Sequence, residues 1–263
     1  MHIARAALHF GEEPCISGSR GSGTVFFSGC NLGCVFCQNA AISRNGRLGR
    51  AVTPKELRAV FEDLISQGAH NINLVTPTHF VPLLKQALSP RLPVPVIYNC
   101  GGYESPQTLR LLRGLVDIYL PDYKYSIPAL AARYSAAPDY PEVCRSALAE
   151  MYRQVGDARF SSDGLMTGGV LVRHLILPGA LLNTKGVLLS LNRLCRDRRI
   201  LLSLMAQYTP MPQIQETFPE LSRPVSQREL HSVRLFLQRL SHLEGYCQSP
   251  QSVGTQYIPP FEL

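Results

Sequence analysis

An α/β fold on a parallel sheet is expected from three features of this sequence. Short β-rich runs alternate with helical stretches along the chain. Most of those runs are near-continuously apolar rather than alternating, the pattern of strands buried on both faces. The chain has 263 residues, 45% of them hydrophobic, enough for one large core. Strands alternating with helices imply right-handed crossovers. The result is an open doubly wound sheet or a partial barrel. In both, ligands bind at the carboxyl ends of the strands.

The first strand is expected over residues 24–28, directly before a cysteine-bearing loop. Five more follow over 71–75, 95–99, 117–120, 170–177 and 201–208. Helices fill the gaps. Thr53-Pro54-Lys55-Glu56 is a capping box with proline at the first helical position, followed by Leu57, Val60, Phe61 and Leu64 on one face. Ser105-Pro106 opens another helix. A further one runs over 141–155 and stops at Gly156. Residues 184–196 make the last crossover, and Ser226-Gln227-Arg228-Glu229 is a second capping box. Two stretches read as long loops, glycine-rich 156–169 and proline-rich 209–224. Each either covers a site or is a surface excursion. No linker divides the chain, so one domain is expected over 1–263, with a lead-in over 1–22 and a C-terminal helix and tail over 226–263.

No apolar run is long enough to cross a membrane, and the N-terminus lacks a hydrophobic signal segment. A cytoplasmic protein is expected. In that reducing compartment the eight cysteines are free for metal binding or chemistry rather than disulfides. Cys15, Cys100, Cys144, Cys195 and Cys247 are scattered and read as buried apolar thiols, although Cys15 and Cys100 fall near strand ends. The net charge of +7 permits nucleic-acid contact. Its basic residues form only two small groups, Arg44, Arg47 and Arg50, and Arg196, Arg198 and Arg199. Both read as solvated loop or helix ends, so neither nucleic acid nor membrane is an expected partner.

The other three cysteines, Cys30, Cys34 and Cys37, sit in one short run spaced C-x3-C-x2-C. A closed zinc site wants four ligands, as does an ordinary iron–sulfur cluster. Three thiolates leave one metal position open, which favours chemistry over stapling. With Phe36 just before the last cysteine, this run resembles the signature of the radical S-adenosylmethionine (SAM) superfamily. The wider chain resembles the branch of uncharacterised pyruvate formate-lyase-activating enzyme homologues. That resemblance rests on Gly11-Glu12-Glu13-Pro14, Thr76-Pro77-Thr78-His79, Asp117-Ile118-Tyr119-Leu120-Pro121-Asp122, Arg173-His174-Leu175-Ile176-Leu177-Pro178-Gly179 and Gln207-Tyr208-Thr209-Pro210.

The resemblance implies a partial (β/α)6 barrel of the radical SAM type with parallel strands, a [4Fe-4S] cluster held by Cys30, Cys34 and Cys37, and SAM on the fourth iron. An electron from the cluster then cleaves SAM to a 5′-deoxyadenosyl radical that takes hydrogen from a substrate. Relatives hold the SAM amino group on a Gly-Gly-Glu stretch after the second strand. Here Thr76, Pro77, Thr78 and His79 stand in that place, and Gly101-Gly102-Tyr103-Glu104 follows the third strand, one unit later. Phe36, Asp122, Lys124 and Arg173 are also expected among the cofactor-binding residues, and Asn99, at the end of the third strand, is expected to bond to SAM or substrate. Lys124 suits the SAM carboxylate, or else pairs with Asp122. Arg173 and His174 alternate faces, so only one points inward. Arg173 suits the SAM carboxylate or ribose, and His174 reads as a core histidine. Gln207 and Tyr208 end the last strand and face the substrate, or Tyr208 is a core residue with its hydroxyl bonded. Relatives often carry an upstream module with extra cysteines. Because Met1 lies close to the barrel, that module is expected to be absent. No catalytic residue is singled out.

The implied partners are a glycyl radical enzyme as protein substrate and an electron donor such as flavodoxin or ferredoxin. A small-molecule or RNA substrate is the alternative. A non-enzymatic zinc or iron–sulfur protein is the reading from a different class.

Overall fold

All six expected strands form in the computed structural model, which describes residues 1–247. In chain order the strands are β1 (His2–His9), β2 (Ser22–Phe27), β3 (Arg50–Ala51), β4 (Ile72–Val75), β5 (Val96–Cys100), β6 (Ile118–Pro121), β7 (Arg159–Phe160), β8 (Met166–Leu175), β9 (Leu201–Met205) and β10 (Glu244–Cys247). The helices are α1 (Pro14–Ser17), α2 (Ala40–Ser43), α3 (Pro54–Ser66), α4 (Val81–Ala87), α5 (Pro106–Arg110), α6 (Pro128–Ser135), α7 (Tyr140–Val155), α8 (Leu181–Leu194) and α9 (Gln227–Leu237).

The strands lie in the order β10-β9-β8-β6-β5-β4-β2-β1-β3. From β10 to β2 every pairing is parallel, whereas β1 runs antiparallel to both β2 and β3. Side chains decide between the two sheet arrangements. Leu74, Tyr98, Tyr119, Val172 and Leu202 pack with Leu57, Leu84, Leu148 and Leu188 from the helices. Their strand neighbours Ile97, Ile118, Leu171 and Leu201 turn the other way, onto Cys15 and Ile16 of α1. The crossover helices therefore cover one face and the other is a concave interior. This is a partial barrel, not a doubly wound sheet. The short α1 plugs the barrel floor.

Both capping boxes form as expected, Thr53 with Glu56 and Ser226 with Glu229. Gly156 caps α7, with its N–H on Tyr152 O. Three expectations need correction. The lead-in 1–22 contains β1 and the plug α1, so it is part of the sheet and core. The glycine-rich 156–169 stretch is partly a hairpin, because β7 pairs antiparallel with the start of β8 across a turn at 161–165. After the second capping box, β10 adds to the edge of β9. The rest of the predicted tail, 248–263, lies outside the described residues. The 209–224 stretch is docked: Tyr208 donates to Leu221 O at 2.8 Å, and Glu220 accepts from Arg133 and Tyr134 of α6. No helix among the described residues is long and apolar enough to cross a membrane.

His174 points outward from β8 and is fully buried. Its Nδ1 donates to Tyr123 O at 2.6 Å, leaving Nε2 to accept from Thr184 Oγ1 at 3.0 Å. Burial lowers its pKa from 6.5 to about 4. The unfolded chain then binds a proton that the folded chain refuses. Stability is expected to fall as pH drops from 6.5 towards 4, by up to about 3 kcal/mol from this group. Urea unfolding across that range checks it: His174→Gln should lose this part of the pH slope, and an unchanged slope would contradict it.

Candidate metal and cofactor site

The cysteine loop leaves β2 at Ser28 and runs across the carboxyl ends of the strands. Gly29 turns it at φ 90, where a Cβ would meet both Gly46 Cα and His79 Nε2 at 3.1 Å. Its N–H donates to Ile42 O. Two more main-chain bonds tie the loop to α6, from Gly33 N to Ser135 O at 3.3 Å and from Val35 N to Tyr134 O at 2.9 Å. Cys30, Cys34 and Cys37 are each half-buried and line one cavity of about 310 Å³. Burial pushes the Cys30 thiol up to about 11 and raises Cys34 as well. Metal binding at such a site displaces thiol protons.

Across the cavity stand Thr76, Asn99, Asp122, Lys124, Arg173 and Gln207, from the ends of five further strands. Thr76 has φ 58, a left-handed conformation that costs a non-glycine residue and occurs disproportionately at functional sites. Its N–H is held by Asn99 O at 2.8 Å. Gln207 Oε1 is buried without a partner among the described residues, an acceptor left for a ligand.

Of Thr76, Pro77, Thr78 and His79, only Thr76 lines the cavity. Thr78 instead donates to Glu104 Oε1 at 2.6 Å, and His79 Nε2 donates to Ser28 O at 2.7 Å beneath the cysteine loop. Glu104 of the displaced Gly-Gly-Glu stretch is fully buried behind the wall, where it also accepts from Tyr98 at 2.9 Å. Burial raises its pKa to about 7. Gly102, at φ 76, would bring a Cβ within 2.0 Å of Asp122 O, so its role here is close approach of backbones.

Phe36 lines the cavity edge-on to Tyr208, with centroids 6.3 Å apart. The Tyr208 ring faces the cavity but its hydroxyl is bound to Leu221 O. Lys124 is paired with Asp122, and both line the cavity. Burial works against the Lys124 charge, but Asp122 outweighs it and the ammonium pKa is raised. Arg173 points inward, as strand alternation requires, yet its guanidinium is committed to Glu12 and Glu13. It thus lines the cavity with its charge shared by two carboxylates. Burial raises the Glu13 carboxyl, but Arg173 beside it prevails and holds the pKa below 4.5. Asn73 Nδ2 donates to Glu12 Oε1 at 2.8 Å. The sequence offers one local signal for this ion cluster, two adjacent acids before the proline that starts α1.

The sequence model of the radical SAM superfamily matches residues 24–120, from β2 through the cysteine loop into β6. That segment, which holds the cysteine triplet, is similar to the radical SAM superfamily. Superfamily members use a [4Fe-4S] cluster and SAM. Over 233 residues the chain is 27% identical to an uncharacterized protein of Methanocaldococcus jannaschii, covering 85% of this chain and 63% of that relative. The chain thus spans just under two thirds of that relative's length. Among solved structures, methylornithine synthase superposes with a TM-score of 0.53 at 18% identity, covering 84% of this chain and 63% of that one. HydG, a maturase of the [FeFe]-hydrogenase, gives a TM-score of 0.53 at 14% identity, covering 81% and 47%. Spore photoproduct lyase gives 0.50 at 13% identity, covering 84% and 74%. At these identities the likeness is one of fold.

The residues present fit the cofactors of the superfamily. Three thiols line one cavity. Among the described residues no three His, Cys, Asp or Glu groups converge on a single ion. A cluster asks for no such convergence, since each thiolate takes its own iron.

Proposed function

We propose that this chain is a radical SAM enzyme that acts on a peptide segment presented at the mouth of its cavity, as an activase acts on a glycyl radical enzyme. The observation that carries this reading is the cavity itself: about 310 Å³, lined by all three cysteines. That volume is at the lower end for a drug-sized ligand, so the cofactors leave little room for an enclosed substrate. Among the described residues the sheet path ends at β10 on one side and β3 on the other, and a chain segment could enter between those edges. The sequence resemblance to activating enzymes supports the same substrate class.

Cys30, Cys34 and Cys37 hold the cluster as thiolates. Asn99, Thr76, Asp122 and Lys124, which line the same cavity, would contact SAM, and Lys124 would share its positive charge between Asp122 and the SAM carboxylate. When bound, the cluster and SAM supply the hydrogen-abstracting 5′-deoxyadenosyl radical. Phe36, Leu175, Met205 and the Tyr208 ring form apolar wall that keeps water from the reacting atoms. The electron comes from an external donor such as a flavodoxin or ferredoxin.

Electron paramagnetic resonance tests the substrate class. Reconstituted protein, SAM and reductant are mixed with glycyl radical enzymes encoded in the same genome. A glycyl signal with one of them is expected. Silence with every candidate would overturn the peptide reading.

A further inference from the structure

Each cysteine sulfur of the loop has a hydrogen-bonding neighbour. Leu32 N–H points at Cys30 Sγ over 3.4 Å, and Ser43 Oγ lies 3.5 Å from Cys37 Sγ. Ser135 Oγ donates to Cys34 Sγ at 2.9 Å, the shortest of the three and the one from a distant part of the chain. Ser135 ends α6 and is 1% exposed. Its carbonyl and that of Tyr134 already clasp the cysteine loop, so its hydroxyl is fixed in place over Cys34. A second buried hydroxyl stands behind it: Tyr125 Oη lies 2.7 Å from Ser135 Oγ. The single Ser135 proton is directed at sulfur, so Tyr125 is the donor to Ser135. Burial raises the pKa of the Tyr125 hydroxyl and keeps that proton on it.

We propose that Ser135, polarised by Tyr125, is a positioning residue that donates to the Cys34 thiolate and raises the reduction potential of the bound iron–sulfur cluster. The inference rests on the cluster reading above. Reduction adds one electron to the cluster, and part of that charge spreads onto the thiolate sulfurs. An O–H dipole aimed at sulfur stabilises the reduced form more than the oxidised form. Tyr125 strengthens that dipole by donating to the same oxygen. Neither hydroxyl is needed to fill a coordination position, so their effect is on potential rather than on ligand count.

The test is an anaerobic dithionite titration of the reconstituted full chain, followed by the paramagnetic signal of the reduced cluster, with iron measured on each sample. Ser135→Ala is expected to shift the midpoint to more negative potential. Tyr125→Phe is expected to shift it in the same direction by less, and Ser135→Thr to restore it. If Ser135→Ala fails to load iron, the Tyr125→Phe shift decides. An unchanged midpoint in iron-replete Tyr125→Phe and Ser135→Ala would overturn the proposal, as would loss of iron in Ser135→Ala with an unmoved midpoint in Tyr125→Phe. A wild-type chain that takes up no iron would overturn the functional reading, and this proposal with it. The iron analysis separates that failure from an unmoved potential.

Discussion

Cys34→Ala is expected to abolish cluster binding, with iron and sulfide falling to background and SAM left intact. Cys34 is the middle cysteine of the proposed ligand triplet, and two thiolates cannot replace three. The fold should survive, because Cys34 is half-buried and the loop is also held by the bonds of Gly33 and Val35 to α6. Circular dichroism should therefore be unchanged while metal is lost. Cys247→Ala, at an exposed cysteine far along the chain, is the matched control and should load normally. Undiminished cluster in Cys34→Ala would remove Cys34 from the site.

The second large effect is on stability. Arg173→Ala should destabilise the fold by about 3–5 kcal/mol, because it leaves two buried carboxylates facing each other without their cation. Side-chain exposures of 14% for Arg173, 9% for Glu12 and 1% for Glu13 leave little solvent to screen the loss. The melting temperature should drop by roughly 10 °C. The pH dependence has a definite sign. The native Glu13 pKa is held below 4.5, so the stabilisation is present above that pH and is lost as pH falls through the native value. The gap between wild type and Arg173→Ala should narrow in acid, where Glu13 is protonated in both. Adding Glu13→Gln to Arg173→Ala should recover part of the loss at neutral pH. A melting temperature within a degree or two of wild type would show that the ion cluster does not hold the barrel floor.

What was legible in the sequence was local. The cysteine spacing, Phe36 and the two capping boxes each lie within a few residues. The apolar strands carry their own period, and strand alternation already required that one of Arg173 and His174 face inward. What was hidden depends on distant partners. Arg173 meets Glu13 across 160 residues, and Ser135 meets Cys34 across 101. Nothing near Arg173 announces that its charge is claimed by the floor. Their place after a strand predicts Thr78 and His79 in the pocket. The backbone turns their polar atoms towards Glu104 and Ser28 instead. The plug α1 has only four residues, too few for a helical period. The edge strand β10, Glu-Gly-Tyr-Cys, lacks an apolar run because its exposed edge does not need one.

The most direct test of the cysteine triplet as the cluster site of a radical SAM enzyme is anaerobic reconstitution followed by incubation with SAM and dithionite. About four irons per chain are expected from a single cubane, and the products should be 5′-deoxyadenosine and methionine. A chain that binds one zinc and no iron, or that holds its iron while SAM stays whole, would contradict the account.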